Sequence, residues 1–435
     1  MTGRYQVYSE YKELDSPFLD KLPKSWVISP LKVVSNFRQG KFHEAYIHEN
    51  GEYICVNSRF VSTEGEKLKF CSKNLSPVQH KDILMVMSDL PNGRALAKAL
   101  YVKKDNNYAL NQRVCAITAT KINSRFLYYQ LNRNDYFLAF DDGCNQTNLS
   151  NDVFKNYPVL IPTEEEQKKI VNFLDHEIVK IDILIAKQEE LIELLKEKRQ
   201  AIISHAVTRG LNLDAPMKNS GVEWLGDMPE HWMIKRLKHI SPKVGVGLVI
   251  NPSTYTRDDG LYFIFGGDVK EYRFDLTKTR RISKNDSDNL LLSKLSHRDL
   301  VSVRVGCSGI TAVVTEELEG ANCASVIIIR KGIYDSDWLC AAMNCWVGRQ
   351  QVELVSYGAA QKQFNVADAV EFKFPYPPIV EQKEIAEFIL NSLEKFNKLS
   401  DKLIKKIGIL KERKTALISA AVTGKIDVRN WQSND

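Results

Sequence analysis

The chain contains a long internal duplication, and this feature most constrains how it can fold. At an offset of 215 residues, segment 162–170 matches 377–385, and segment 201–208 matches 416–423. The first match keeps the pattern Pro-x3-Glu-Gln-x2-Ile in both copies. A tandem duplication within one polypeptide predicts a pseudo-dimer, and such an object suits a target that has two half-sites.

A second match opens each half of the chain. Pro23-x2-Trp26 corresponds to Pro229-x2-Trp232. Because each tryptophan stands at the same place after a proline, we interpret both as core anchors in preference to platforms on which nucleic-acid bases stack.

Each copy of the duplication ends in a segment typical of a long helix. Its apolar residues alternate at spacings of four and three, which is the heptad pattern of a coiled coil, and polar positions interrupt both stripes at matching places. A helix of about forty residues is about 60 Å long at 1.5 Å per residue, too long to bury its stripe against one small domain. We therefore predict that the two helices pair as an antiparallel coiled coil. The predicted core residues are Leu174, Ile178, Ile181, Ile185, Ile192, Leu195 and Ile202 in the first helix, and Ile389, Leu393, Phe396, Leu403, Ile407, Leu410 and Leu417 in the second.

The segments that precede these helices consist of short β-rich runs broken by Gly, Asn, Asp and Pro turns. The predicted fold class is α+β, with two tandem α/β domains, each followed by a long helix, and pseudo-two-fold symmetry. The predicted organisation is domain 1 at 1–160, the central long helix at 161–210, a connector at 211–230, domain 2 at 231–375, the distal long helix at 376–424 and a tail at 425–435.

The charge is distributed unevenly along the chain, whose formal net charge is +6. Residues 22–150 hold 17 Lys and Arg against 11 Asp and Glu, and residues 228–365 hold 18 against 15. The stretch 164–206 reverses the balance, with 7 against 10. Two basic domains joined by a less basic helix allow an anionic partner to bind at two places.

Several classes of protein are disfavoured by the motifs that the sequence lacks. It has no GxxxxGK[ST] phosphate loop and no HExxH motif, and its histidines are scattered, so we expect no catalytic residues, no cofactor and no metal on this chain. The eight cysteines form no CxxC pair, which favours reduced, buried thiols in the cytosol. No apolar run is long enough to span a membrane, and the first ten residues are too polar for a signal peptide, so we expect a cytoplasmic location without membrane contact.

The duplicated motifs and segment 221–232 resemble the specificity subunit of type I restriction-modification systems. That segment reads Gly-Val-Glu-Trp-Leu-Gly-Asp-Met-Pro-Glu-His-Trp, and the resemblance extends over essentially the whole chain. The N-terminal copy departs from the pattern, because residues 18–23 read Phe-Leu-Asp-Lys-Leu-Pro in place of Trp-Leu-Gly-x-Met-Pro. We expect that segment to pack differently.

The resemblance implies that each domain is a target recognition domain that reads one part of a split, asymmetric sequence in double-stranded DNA. The helices would separate the two domains, set the length of the unread spacer and dock two modification subunits, which methylate adenine N6. Restriction subunits with translocase and nuclease activity would join the larger complex. S-adenosylmethionine, ATP and Mg are expected on these partner subunits and not on this chain.

Candidate DNA contacts are polar and basic residues in predicted turns, since Lys and Arg neutralise phosphates while Arg, Asn and Gln can read base edges. In domain 1 they are Arg38, Gln39, Lys41, Arg59, Arg94, Lys103, Lys104, Asn111 and Arg113; in domain 2 they are Tyr255, Arg257, Arg280, Arg281, Lys284 and Arg304. Gln146 and Gln361 occupy matching Gly-x-x-Gln positions, where each could bond a turn or contact DNA. Gly306-x-x-Gly309 is expected to form a tight turn, whose backbone amides could also approach a phosphate.

Two other functions are compatible with parts of the sequence. The chain could be a coiled-coil scaffold whose basic interaction domains bind a different acidic partner, or a DNA-modifying enzyme with unrecognised catalytic residues. The scaffold hypothesis leaves unexplained why two divergent domains are joined to similar helices. The enzyme hypothesis lacks any cofactor motif.

Overall fold

A computed structural model describes residues 5–90, 95–104, 107–356 and 363–432. The chain divides into two compact units, and each long helix contributes one part to each unit. Unit 1 contains Met1–Lys187 and Lys406–Asp435, and unit 2 contains Gln188–Lys405. Both units combine helices and strands, so the predicted mixture of α and β structure is confirmed.

Domain 1, the part of unit 1 that precedes its long helix, is built from short strands and short helices. Four of its five short helices begin after an Asn or Ser whose side chain accepts a backbone N–H of the first turn. Its strands are β1 (Tyr11–Glu13), β2 (Lys21–Pro23), β3 (Val27–Pro30), β4 (Ser35–Gln39), β5 (Tyr53–Val56), β6 (Phe70–Cys71), β7 (Ile83–Val86), β8 (Ser88–Asp89), β9 (Ala99–Tyr101), β10 (Tyr108–Leu110), β11 (Val114–Ala119), β12 (Thr147–Asn148) and β13 (Pro158–Ile161). Its helices are α1 (Leu31–Val34), α2 (Ser58–Ser62), α3 (Ser124–Leu131), α4 (Asp135–Leu138) and α5 (Asn151–Lys155), with a 3-10 turn at Glu44–Tyr46, and the first long helix α6 (Glu164–Arg209) follows.

Domain 2 follows the end of α6 and repeats this construction. Its strands are β14 (Met217–Asn219), β15 (Asp227–Pro229), β16 (Met233–Arg236), β17 (Val244–Val246), β18 (Leu261–Ile264), β19 (Val269–Lys270), β20 (Arg273–Phe274), β21 (Arg280–Ile282), β22 (Leu300–Val303), β23 (Thr311–Val313), β24 (Asn322–Cys323), β25 (Val326–Ile329) and β26 (Lys373–Tyr376). Its helices are α7 (Leu237–Ile240), α8 (Lys284–Asn289), α9 (Ser336–Asn344), α10 (Trp346–Val355) and α11 (Val366–Ala369), with 3-10 turns at Pro252–Tyr255, Gly266–Asp268, Leu291–Ser293 and Glu316–Leu318. The second long helix is α12 (Ile379–Val422).

The duplication extends to the order of the strands. A four-stranded antiparallel sheet has the order β4-β11-β7-β9 in domain 1 and β17-β25-β22-β23 in domain 2. A three-stranded sheet has the order β6-β5-β10 in domain 1 and β21-β18-β24 in domain 2, and in each the central strand has one antiparallel and one parallel neighbour. The two domains therefore share one topology, although their sequences have diverged.

Both long helices start where the sequence predicts and end at a glycine. The first turn of α6 carries Glu164, Glu165 and Glu166, whose negative charge is favourable at a helix N-terminus. Gly210 and Gly424 follow the two helices with φ of +75° and +68°, the left-handed conformation that commonly closes a helix. The predicted segments 161–210 and 376–424 thus contain helices that span Glu164–Arg209 and Ile379–Val422.

A buried tryptophan joins the end of one long helix to the start of the other in each unit. In unit 1, Trp26 donates its indole N–H to Glu166 of α6 over 3.1 Å. Gly424, which follows α12, lies so close to Pro23 that a Cβ atom at this glycine would be 2.4 Å from the proline ring. In unit 2, Trp232 donates to Glu381 of α12 over 2.9 Å and lies beside Gly210. Both tryptophan side chains are fully buried, as expected of core anchors.

The stripe residues that we assigned to a coiled-coil core are all shielded from solvent to some degree. Ile192, Leu195, Ile202, Phe396 and Leu403 are half-buried, and the other nine are buried. In unit 1 the two long helices are bridged by the ion pair between Lys414 and Asp182, at 2.7 Å. In unit 2, buried side chains of both helices, among them Ile203 and Ile389, belong to one hydrophobic core.

Candidate nucleic-acid interface

Four of the candidate residues in domain 1 meet at one end of its four-stranded sheet. Gln39, at the end of β4, donates from its side chain to the carbonyl of Gln112 over 3.3 Å. The N–H of Lys41 donates to the Leu110 carbonyl, and the carbonyl of Arg113 accepts from Met87. The side chains of Gln39, Lys41 and Arg113 are exposed there, so this edge presents two cations and an amide to solvent.

Asn111 lies in the same turn but is built into the fold. It is buried, its backbone N–H donates to Val56, and its side-chain carbonyl accepts from Gln112 over 2.8 Å. Its amide group also donates to Glu44 over 3.5 Å. Asn111 thus shapes the turn from which its neighbours project.

Arg38 is engaged by a buried carboxylate. Its guanidinium donates to Asp82 over 2.5 Å and to the Pro77 carbonyl over 2.8 Å, and the Asp82 side chain is fully buried. In domain 2 the matching buried carboxylate, Asp299, pairs at 2.6 Å with Arg330, which follows β25 and so comes from a different strand than Arg38 does. Because removal of one partner would leave a buried charge with fewer donors, each pair stabilises its domain.

The remaining candidates of domain 1 lie elsewhere. Lys103 and Lys104 follow β9 and are exposed. Because Tyr101 pairs with Ile83, at the start of β7, these lysines lie at the opposite end of the sheet from Arg113. Arg59 is exposed on α2. Arg94 lies outside the described residues, as does Gln361.

Gln146 bonds a turn. Its side-chain amide donates to the hydroxyl of Ser88 over 2.9 Å, and β12 then pairs with β8. Gly306 and Gly309 have φ of +86° and +85°, so the expected tight turn forms in domain 2.

Domain 2 gathers its basic candidates around β21, the outer strand of the three-stranded sheet. The guanidinium of Arg280 lies 4.4 Å from the centre of the Phe265 ring, and that of Arg281 lies 3.7 Å from the centre of the Tyr262 ring. Such stacking contributes about 0.5–1 kcal/mol at exposed sites and leaves the N–H edges available to an anion. Lys284, just beyond β21, is exposed.

Two further candidates border β21, and the sixth lies apart from them. Arg257 forms a backbone bridge to Arg281 and an ion pair with Asp286 at 3.2 Å. Tyr255 is half-buried and packs against a small cluster that includes Phe263 and Ile282. Arg304 lies after β22, where its carbonyl accepts from Phe364 and its Nε atom is buried.

Sequence reasoning missed a basic strand in domain 1. Strand β6 occupies the place that β21 has in domain 2, and it is flanked by Lys67, Lys69 and Lys73. Lys67 and Lys73 are exposed, and Lys69 pairs with Glu44 at 2.7 Å. The alternation of Lys67 and Lys69 with apolar residues is a strand pattern, and this signal could have nominated them.

The thiols of the chain are mostly buried, as expected. Cys144 and Cys307 are exposed, and the other six are buried. Burial raises the pKa of the Cys55 thiol to about 12 and that of Cys345 to about 11, which disfavours the reactive thiolate.

Searches for other kinds of site were confined to the residues that the structure describes. Among these, no group of His, Cys, Asp and Glu is arranged to hold a metal ion. Within the same ranges, no helix has the length and apolar character needed to cross a membrane.

Comparison with known proteins shows similarity to one family. Residues 23–194 match the model of the type I restriction modification DNA specificity domain. Over 296 residues the chain is 28% identical to the EcoBI specificity subunit of Escherichia coli, a match that covers 63% of this chain and 60% of that subunit. The chain is similar to the type I specificity subunits. The resemblance that we drew from the duplicated motifs is confirmed.

The chain also matches other proteins over nearly their full length. It is 21% identical to the MjaVIII specificity subunit of Methanocaldococcus jannaschii over 98% of both chains. A chain from a solved structure on complex assembly and conformational transition of the type I R-M system superposes with a TM-score of 0.70 at 16% identity. This superposition covers 93% of this chain and 99% of that chain, so the fold is shared over almost the whole length.

Proposed function

We propose that this specificity subunit reads a bipartite, asymmetric sequence in double-stranded DNA, with one part read by each domain. The observation that carries the proposal is the pair of outer strands β6 and β21. They occupy the same place in the same topology, yet β6 is preceded by Lys67 and Lys69, whereas β21 itself carries Arg280 and Arg281. Equivalent surfaces with different side chains suit two readers of different sequences.

The chemistry of these surfaces divides the work of DNA recognition between affinity and specificity. Lysines neutralise phosphates and fix the register of the protein on the duplex, without reading sequence. Arginines can in addition donate two hydrogen bonds to one guanine, worth about 1–3 kcal/mol of discrimination against other bases. Arg113 and Gln39, exposed at the sheet end of domain 1, are candidates for base contacts there.

The long helices would separate the two domains as an antiparallel coiled coil and so set the length of the unread spacer. In each unit the start of one helix and the end of the other meet at a buried tryptophan, which supports this arrangement. The buried and half-buried stripe residues would form its core.

The outer faces of the same helices would dock two modification subunits. Large apolar side chains are exposed at matching positions of the two copies: Leu184 and Leu399 at 43% and 47%, and Leu194 and Ile409 at 53% and 64%. Covering an exposed Leu or Ile contributes about 1.5–3 kcal/mol, so a partner that covers these residues gains affinity from each. Two equivalent stripes support two equivalent partners.

Catalysis would belong to those partners. The modification subunits would carry S-adenosylmethionine and methylate adenine N6, and restriction subunits with ATP and Mg would complete the complex in the cytoplasm. The specificity subunit would act as a non-catalytic reader that holds both flanks of the target. Flipping an adenine out of the duplex costs a few kcal/mol, and phosphate contacts on both flanks can offset that cost.

The test is a domain exchange read out by genome-wide mapping of N6-methyladenine. A strain that expresses the specificity subunit with its modification subunit should methylate a split motif with a fixed unread gap, and deletion of the subunit should abolish that methylation. Replacement of residues 233–365 by the equivalent domain of a relative should change one part of the motif and leave the other intact. A change in both parts would contradict independent reading, and methylation that survives deletion would favour a scaffold role.

A further inference from the structure

The internal duplication allows the contact between domain and long helix to be compared at matching positions. In unit 2 this contact is closed. Ile203 and Val207 of α6 are fully buried in a core that also contains Leu225, Ala342 and Phe372 of domain 2.

A hairpin of domain 2 completes that closed contact. Strands β19 and β20 are joined by Glu271 and Tyr272. Glu271 accepts from Arg199 of α6 over 2.9 Å and from Arg349 of α10 over 2.8 Å. Tyr272 adopts a left-handed φ of +63° and packs against the core. An acidic and an aromatic residue at the hairpin tip thus fix the domain to the helix.

Unit 1 has a groove at the matching place. Ile418 of α12, the counterpart of Ile203, is half-buried and lines a groove of about 1650 Å³, which Val422, the buried counterpart of Val207, also lines. Its other walls combine apolar and aromatic side chains, among them Phe18, Leu68, Tyr128 and Tyr136, with charged side chains of both signs.

The difference has a local cause in the two domains. Domain 2 places the β19–β20 hairpin between β18 and β21, whereas domain 1 places α2 between the matching strands β5 and β6. Lys414, the counterpart of Arg199, pairs with Asp182 of α6. The groove of unit 1 is therefore lined like a docking surface whose hairpin this domain does not carry.

We propose that the groove of unit 1 binds a segment of a partner protein that presents a carboxylate beside an aromatic ring. Such a segment would repeat what Glu271 and Tyr272 do in unit 2. Its ring would be covered by the tyrosines and by Ile418, and its carboxylate would take the place of Asp182 beside Lys414, the counterpart of Arg199. The proposal goes beyond DNA reading and makes unit 1 the site of an additional protein contact.

The first test measures whether the groove is open in the free full-length subunit. Thr415 lines the groove and is exposed, whereas its counterpart Gln200 is half-buried and donates to the Asn344 carbonyl over 3.4 Å. With Cys144 and Cys307 replaced by Ser, T415C should react with a maleimide at least about tenfold faster than Q200C. The nearly isosteric pair S419C and S204C should repeat the difference, and equal rates in both pairs would overturn the proposal.

The second test uses the hairpin of this chain as the probe. A head-to-tail cyclic peptide of residues 268–275 is feasible, since the Asp275 N–H donates to the Asp268 carbonyl over 2.8 Å. It should slow the labelling of T415C in a saturable manner below about 1 mM, the weak end of specific binding. The same peptide with Glu271→Lys and Tyr272→Ala should give no protection, and S419W, which fills the groove, should abolish the effect. Protection by both peptides, or by neither, would overturn the proposal.

Discussion

The indole N–H of Trp26 donates to the carboxylate of Glu166 over 3.1 Å, and Trp232 repeats this bond to Glu381 over 2.9 Å. Each bond joins the Pro-x-x-Trp motif of a domain to the first turn of a long helix. The neighbouring glutamines add a second tie, since Gln167 accepts from the Asn123 N–H and Gln382 from the Asp335 N–H. The motifs that are shared by both halves are therefore those that fasten domain to helix.

Trp26→Phe should destabilise unit 1. The buried carboxylate of Glu166 accepts from the side chains of Trp26 and Tyr8. The variant removes the first of these bonds and keeps the second, from the Tyr8 hydroxyl at 2.5 Å. We expect a loss of about 1–3 kcal/mol in the free energy of unfolding, measured by urea titration. The matched variant Trp232→Phe should cost less, because Glu381 is more exposed and also bonds His231. A larger loss for Trp232→Phe would contradict this account.

Arg38→Met should destabilise the chain without a direct effect on DNA contacts. Asp82 would keep the Thr118 hydroxyl and the Gln79 N–H but lose its cation. The expected cost is about 1.5–3 kcal/mol, the value of a hydrogen bond to a charged group. Arg330→Met should cost more, because Arg330 also donates to the carbonyls of Lys294 and Leu292. Unchanged melting temperatures in both variants would rule out a stabilising role for these pairs.

Arg280→Ala should weaken DNA binding by the complex and leave folding intact, since Arg280 is exposed and stacks on Phe265. If Arg280 contacts a phosphate, the variant should reduce the magnitude of the slope of log binding constant against log salt concentration by about 0.9. If Arg280 reads a base, the slope should stay the same, and the complex should accept other bases at one position of the motif. Lys67→Ala, at the matching strand of domain 1, is expected to follow the phosphate pattern. Titration of the complex with target DNA at several salt concentrations distinguishes the two. Full affinity and specificity in both variants would remove these strands from the interface.

The sequence was most informative where periodicity and duplication act together. The stripe from Leu174 to Ile202 predicted a helix because a four-three alternation sustained over several turns fits one face of α6, and Gly210 marked its end. The matching strands were predicted only as β-rich runs. Their pairing depends on contacts between distant residues, such as Ile83 with both Tyr101 and Ile117, and no local pattern encodes those contacts.

The candidate interface was harder to predict, because an exposed arginine and a paired arginine look alike in a sequence. Arg38 and Arg113 were nominated on equal grounds, yet only the first lies against a buried carboxylate. The alternation around Lys67 indicates a strand, but the pairing of β5 with β6 is needed to show that this strand lies at the edge of its sheet. Composition indicates that a domain is basic, and the fold decides which cations face outward.

If the long helices dock modification subunits as proposed, the double variant Leu194→Asp and Ile409→Asp should abolish that association while the chain still folds. Both side chains are exposed on long helices, so the charges cost little in the free subunit but would be buried by a docked partner. Co-purification from cells that express both subunits measures the effect. The control is Ile192→Asp with Ile407→Asp, which places charges in the proposed coiled-coil core and should disrupt the subunit itself. Intact co-purification of the surface variant would move the docking site away from these stripes.

The reactivity of the thiols should follow burial. Because burial raises the pKa of Cys55 to about 12 and of Cys345 to about 11, both are almost entirely protonated at pH 8, and the thiolate is the species that attacks a disulfide reagent. In the native subunit we expect fast reaction at two of the eight cysteines, Cys144 and Cys307. Raising the pH from 8 to 9 should leave the buried Cys55 and Cys345 thiols unreactive until the chain unfolds. Release of the coloured product of the disulfide reagent counts the exposed cysteines without urea and all cysteines with urea. A third fast-reacting thiol in the native state would show that one of the buried cysteines is accessible.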